Sequence, residues 1–153
     1  MCFWIDVWLK KNFPGLEVHY IIHDVAAQEV DEETFYHTLE SGGTKISSAY
    51  GLCDRLINLL PGGSVDWNIY LFQFSDGDNL NDDNGRCVAL LRDALLPKCN
   101  QFAYVQVESQ HGSGAFKKVI EKAFAKHAKI VSTVVANHGG IVQAIKDLFT
   151  KGN

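Results

Sequence analysis

The sequence predicts an α/β protein organised as a three-layer, doubly wound, mostly parallel sheet. Runs rich in Val, Ile, Tyr and Phe alternate along the chain with stretches of helical periodicity, and clusters of glycine and proline fall between them. One apolar run, Asn68-Ile69-Tyr70-Leu71-Phe72-Gln73-Phe74, empties directly into the polar loop Ser75-Asp76-Gly77-Asp78-Asn79. Strands alternating with helices pair in parallel and are covered on both faces. In open α/β sheets, ligands bind where a buried strand ends in such a loop.

Cys2 to Phe13 carries Phe3, Trp4, Val7, Trp8 and Leu9 and ends in Lys10-Lys11, a helix stopped by Pro14-Gly15 and lacking an N-cap. Glu17 to His23 alternates and is a strand, with a short neighbour at Ala26 to Val30. A brief helix follows over Asp31 to Thr38, and a longer one over Ser47 to Leu60 until Pro61-Gly62-Gly63 breaks it. Asp66 to Phe74 is the buried strand, and Cys87 to Leu96 a helix closed by Pro97. Phe102 to Val107 and Ile130 to Val135 are strands, separated by a helix from Ala115 to His127, and Ile141 to Phe149 is a terminal helix after Gly139-Gly140. With 153 residues, 46% hydrophobic and 21% charged, residues 1–153 are expected to form a single domain with one core.

The net charge is -4 and the 14 basic residues are scattered, so the electrostatic footprint of a nucleic-acid binder is missing. The densest cluster, Lys117, Lys118, Lys122, Lys126 and Lys129, has mostly helical spacing and reads as a solvated helix face. Cys2, Cys53, Cys87 and Cys99 form no C-x-x-C pair and sit in apolar stretches, which fits reduced, buried thiols and a cytoplasmic location. No run approaches the roughly 18 apolar residues that cross a bilayer, and no secretory leader pattern opens the chain. No membrane partner is expected.

Asp76, Asp78, Asp82 and Asp83 fall in one eight-residue window, read as a polar loop. An EF-hand is rejected: starting at Asp76, Leu80 stands at the fifth position, Asn81 where glycine is required and Cys87 where the bidentate glutamate belongs. Asp76-x-Asp78 after an apolar strand is similar to the nucleophile motif of haloacid-dehalogenase-type phosphotransferases, in which the first carboxylate attacks phosphorus and the second handles the proton. There the motif lies on the first strand. Here it lies mid-chain and Leu80 replaces the usual threonine or valine, so a phosphatase is the alternative function and a non-enzymatic role the leading one.

Other motifs carry less. His19 and His23 share a strand face but lie roughly 13 Å apart, too far to ligate one metal. His111-Gly112-Ser113-Gly114 lacks the spacing of a nucleophile elbow and reads as a flexible loop into the next helix. Gly42-Gly43-Thr44-Lys45 puts threonine before lysine, the reverse of a Walker A loop.

Taken together, Tyr20-Ile21-Ile22-His23-Asp24, Glu29-Val30-Asp31 with Phe35, Glu40-Ser41-Gly42-Gly43-Thr44, Ser47-Ser48-Ala49, Asp66-Trp67-Asn68-Ile69-Tyr70 and Ser75-Asp76-Gly77-Asp78-Asn79 resemble the YeaH/YhbH family of bacterial proteins over nearly the whole chain. The resemblance implies a von Willebrand factor A-like domain whose sheet edge carries a metal-ion-dependent adhesion site. In that fold magnesium is held by D-x-S-x-S after the first strand, a threonine in a second loop and an aspartate in a third. Thr44 matches the second and Asp76 the third, with Ser41 and Asp78 as supporting residues. The implied function is cation-dependent protein binding in stress or sporulation physiology, with a serine protein kinase system as candidate partner. No D-x-S-x-S occurs in this sequence. The first central strand is therefore expected to be absent, magnesium binding in this chain weak or absent, and the open sheet edge available to a second copy or to other parts of a larger protein.

Overall fold

A computed structural model describes residues 2–38, 45–107, 114–135 and 138–150. Its centre is strand β4, Gln101–Val107, buried at every position but the last. β4 pairs in parallel with β3, Tyr70–Ser75, on one side and with β5, Ile130–Val135, on the other. Alternation along β4 explains why it needs cover on both faces, because successive side chains point to opposite sides of a sheet. Phe102 and Tyr104 join one core with Ile46, Tyr50, Leu91, Phe116 and Ile120, and Ala103 and Val105 join another with Ile5, Val131, Ala144 and Leu148.

Those two cores define three layers. On the first face lie α3 (Ile46–Leu59), α4 (Asn84–Leu90) and α5 (Ala115–Ala123); on the second lie α1 (Cys2–Asn12) and α6 (Ile141–Thr150). The Gln101 amide, buried at the start of β4, donates to the Leu148 carbonyl at 2.8 Å and ties α6 to the sheet. The mixed α/β architecture with a parallel sheet is thus as the alternation of periods predicts.

The described strands do not make one sheet, as the sequence suggested. β1 (Tyr20–His23) and β2 (Ala27–Val30) form a separate antiparallel hairpin. The short connection between His23 and Ala27 cannot make the crossover that a parallel pair needs, and the hairpin leans on α3 through a bond from the Lys45 N–H to the Asp24 carbonyl at 2.7 Å. β3 consequently borders its sheet, with one ladder side unpaired among the described strands.

Several boundaries differ from the sequence reading. β1 begins at Tyr20 and not Glu17, because its partner stops at Val30, where Asp31 caps α2 (Glu32–His37) by accepting from the Thr34 N–H at 2.7 Å. α5 stops at Ala123, and Lys126 then takes a left-handed backbone conformation at φ 60° that a helix cannot continue through. The helix expected from Cys87 starts earlier, at Asn84, after a 3-10 turn over Asn81–Asp83. Its end widens into a π turn over Leu91–Leu95, closed by the Leu96 N–H on the Leu91 carbonyl at 2.9 Å.

Candidate functional site

The loop after β3 begins at Asp76, at the C-terminal edge of the parallel sheet. Its backbone is held from the neighbouring strand and helix. The buried Gln106 amide donates to the Asp76 carbonyl at 2.5 Å, and its oxygen accepts from the buried Tyr104 hydroxyl at 3.0 Å. The Gly114 N–H reaches the same Asp76 carbonyl at 3.3 Å, and the Phe116 N–H reaches the Gly77 carbonyl at 3.0 Å.

Gly77 is required here twice over. Its φ is +91°, and a Cβ would lie 2.4 Å from the Gly114 Cα and within 2.8 Å of the Gln106 amide. Glycine thus lets the loop press onto β4 and the start of α5, which leaves the half-buried Asp76 and Asp78 side chains at the rim. Asp76 Oδ1 accepts from the Asp78 N–H at 3.1 Å, an Asx turn that fixes the Asp76 carboxylate against the Asp78 backbone.

The far end of the loop grips the start of α3. Asn79 accepts from the Ile46 N–H at 3.0 Å and donates to Asn84 at 2.8 Å. Asp83 accepts from the Ser47 N–H at 2.9 Å and from the Ser47 hydroxyl, and the Cys87 thiol donates to it at 3.2 Å. Two N–H groups of the first turn of α3, orphans in any helix, are therefore satisfied by side chains from the loop after β3. Burial acts to raise the Asp83 pKa, but the bonds from Ser47, Cys87 and Asn79 outweigh it and hold the carboxyl below the usual aspartate value.

Of the predicted site residues, Asp76 and Asp78 lie together at the sheet edge, while Thr44 and Ser41 lie outside the described residues. The window Asp76 to Asp83 is not one solvated loop: Asp83 is 5% exposed and belongs to the turn that enters α4. Asp76 and Asp78 offer hard oxygen donors of the kind magnesium takes, but no group of three or more His, Cys, Asp or Glu able to hold a metal occurs among the described residues. His111 and Ser113 are outside the described residues, and Gly114 precedes α5 in a left-handed conformation. His19 lies just before β1, bonded to Glu29 at 2.6 Å. In the lysine cluster Lys117 pairs with Glu121 and Lys129 donates to the Leu96 carbonyl, so that face is only in part free solvated charge. All four cysteines are free thiols, with Cys87 and Cys99 buried. No helix among the described residues is long and apolar enough to cross a membrane.

A family described as "Protein of unknown function (DUF444)" matches residues 1–152. The chain belongs to the DUF444 family. Among curated bacterial proteins it is similar to a UPF0229 protein of Thiobacillus denitrificans, 36% identical over 145 residues that cover 95% of this chain and 34% of the relative. A UPF0229 protein of Chromohalobacter salexigens is 35% identical over 146 residues, with the same shares of 95% and 34%. One from Vibrio vulnificus is 43% identical over 102 residues, 66% of this chain and 24% of that protein. The DUF444 chain thus spans about a third or less of the length of these relatives. No solved structure matches it.

Proposed function

We propose that this DUF444 chain is part of a von Willebrand A-like binding module that engages a protein partner through a divalent cation at Asp76 and performs no chemistry of its own. The observation that carries this reading is the position of Asp76: a half-buried carboxylate at the C-terminal end of a parallel strand, on a loop anchored to both β4 and α3. A loop so held presents its oxygens without an ordering cost on binding. Magnesium, when bound, would supply a positive centre to which a partner's carboxylate could coordinate. Asp76 would hold it directly and Asp78 would orient Asp76, with Thr44 and Ser41 contributing from the preceding loop.

A first strand ending in D-x-S-x-S, a motif that the 153 residues do not contain, belongs to the same reading. In the von Willebrand order that strand lies between the equivalents of β1 and β3, where the described strands divide into two sheets. With its D-x-S-x-S loop goes most of the ligand set, so magnesium binds this chain weakly. The partner is a protein, with a serine protein kinase system as the candidate, in cytoplasmic stress or sporulation physiology.

Calorimetric titration with magnesium tests the proposal beside a turnover assay on a simple phosphate ester. Weak binding and no turnover are expected. Tight stoichiometric magnesium binding would overturn the incomplete-site reading, and turnover abolished by Asp76→Asn would replace the binding module with an aspartate-based phosphotransferase.

A further inference from the structure

A second feature lies on the other side of the α3 N-terminus. A cleft of about 350 Å³ opens between the hairpin turn, α3 and α4. Lys45, Arg55 and Arg86 line it together with Ser47 and Ser48, and Val25, Ala26 and Leu52 form its apolar wall. The three cations are far apart in sequence and meet only in the fold: Lys45 at the N-cap of α3, Arg55 near that helix's C-terminal half, and Arg86 on the first turn of α4.

Among the described residues none of the three makes an ion pair. Three cations thus share one cleft lined by no acidic residue. An anion seated in the cleft would meet all three positive charges. Gly51, one helical turn from both Ser47 and Arg55, also lines the cleft, and a Cβ there would meet nothing within 4 Å. Glycine inside a helix costs about 1 kcal/mol relative to alanine, and its bare Cα leaves this stretch of the cleft wall without a side chain.

We propose that this cleft binds a phosphate group. Two guanidinium forks and an ammonium outnumber the acceptors of a single carboxylate but suit a tetrahedral dianion with several oxygens, while the Ser48 hydroxyl is already committed to the Lys45 carbonyl at 2.7 Å. The backbone N–H groups of Ile46 and Ser47 are already taken by Asn79 and Asp83, so the side chains hold the anion and the helix terminus does not. The Asp83 carboxylate is buried behind Ser47 and turned to its own three donors, Ser47 N–H, Ser47 hydroxyl and Cys87 thiol. The volume exceeds one phosphate and lies at the low end of small-ligand sites, which leaves space along Val25 and Leu52 for the body that carries the phosphate.

The experiment is a titration of the 153-residue chain with inorganic phosphate and, in parallel, with a short phosphoserine peptide and its unphosphorylated twin, at constant ionic strength by calorimetry. Saturable one-to-one binding of phosphate is expected, weakened roughly tenfold or more by Arg55→Gln or Arg86→Gln through loss of a charge-assisted bond. Both arginines are exposed, so these variants keep the fold. Gly51→Glu places a carboxylate in the cleft with a better helix former and is expected to abolish binding while leaving the circular dichroism unchanged. A phosphopeptide bound more tightly than inorganic phosphate assigns the phosphate to a protein ligand, and equal or weaker binding assigns it to a small phosphorylated molecule. Absence of a saturable phosphate site, or affinity unchanged in Arg55→Gln, Arg86→Gln and Gly51→Glu, overturns the proposal.

Discussion

Asp83 holds Ser47 by two bonds, one from the backbone N–H at 2.9 Å and one from the hydroxyl, across 36 residues of sequence. The pair closes the N-terminus of α3 with a carboxylate from the loop that also carries Asp76 and Asp78. One buried contact thereby fixes the segment after β3 against the first turn of α3.

Removing that carboxylate leaves a buried N–H and hydroxyl unpaired, which costs about 1–3 kcal/mol for each strand of the network. Asp83→Ala is expected to destabilise by about 3 kcal/mol and Ser47→Ala by about 1 kcal/mol, with clear non-additivity in the double variant because both remove the same contact. Urea unfolding of the three variants checks this, and strictly additive effects would count against the contact.

Acid should report the same pair. The Asp83 carboxyl is held below its ordinary value in the folded chain, so its contribution is fully present above the unfolded value of about 4 and is lost as pH falls through the folded one. Asp83→Asn is expected to flatten this part of the stability profile below about pH 4, measured by thermal melts over a series of acid pH values.

Alkali acts through other groups. Burial pushes the Cys2 thiol up to about 11 and the Cys53 thiol up to about 12, and it raises the Tyr104 hydroxyl to about 12. Folded values above unfolded ones mean that stability is intact below the unfolded thiol value of about 8.5 and declines as pH rises toward the folded values. Burial, with Asp83 beside it, raises Cys87 as well. Native alkylation at pH 8 is expected to be much slower than in denaturant at all four thiols. Rapid labelling of Cys87 in the native chain would contradict its place in the Asp83 network.

Gly77 has no room for a side chain. Gly77→Ala would force both a positive φ and a 2.4 Å approach to the Gly114 Cα, so a cost above about 2 kcal/mol is expected, against little for Gly85→Ala, where nothing lies within 4 Å. Comparison of the two melting temperatures separates the crowding at Gly77 from a general glycine effect.

Element type and order were legible because hydrophobic period is local: each strand and helix named from the sequence has a counterpart in the fold, with ends displaced by a few residues. What was hidden is long-range. Asp83 reads as one more loop aspartate until Ser47 is brought to it, and Cys87 as an isolated thiol until it donates to the same carboxylate. Lys45, Arg55 and Arg86 read as scattered charge because ten and thirty-one residues of sequence separate them, and only the packing of α4 beside α3 unites them. The division into two sheets was likewise invisible to periodicity, which marks strands but not their partners.

Magnetic resonance with manganese as a paramagnetic stand-in for magnesium tests the cation at Asp76 most directly, because it registers weak occupancy residue by residue. Millimolar manganese is expected to broaden the amide signals of Asp76, Gly77 and Asp78 selectively, and Asp76→Asn to remove the effect. Broadening spread evenly over the surface, or retained in Asp76→Asn, would contradict a cation site at this edge.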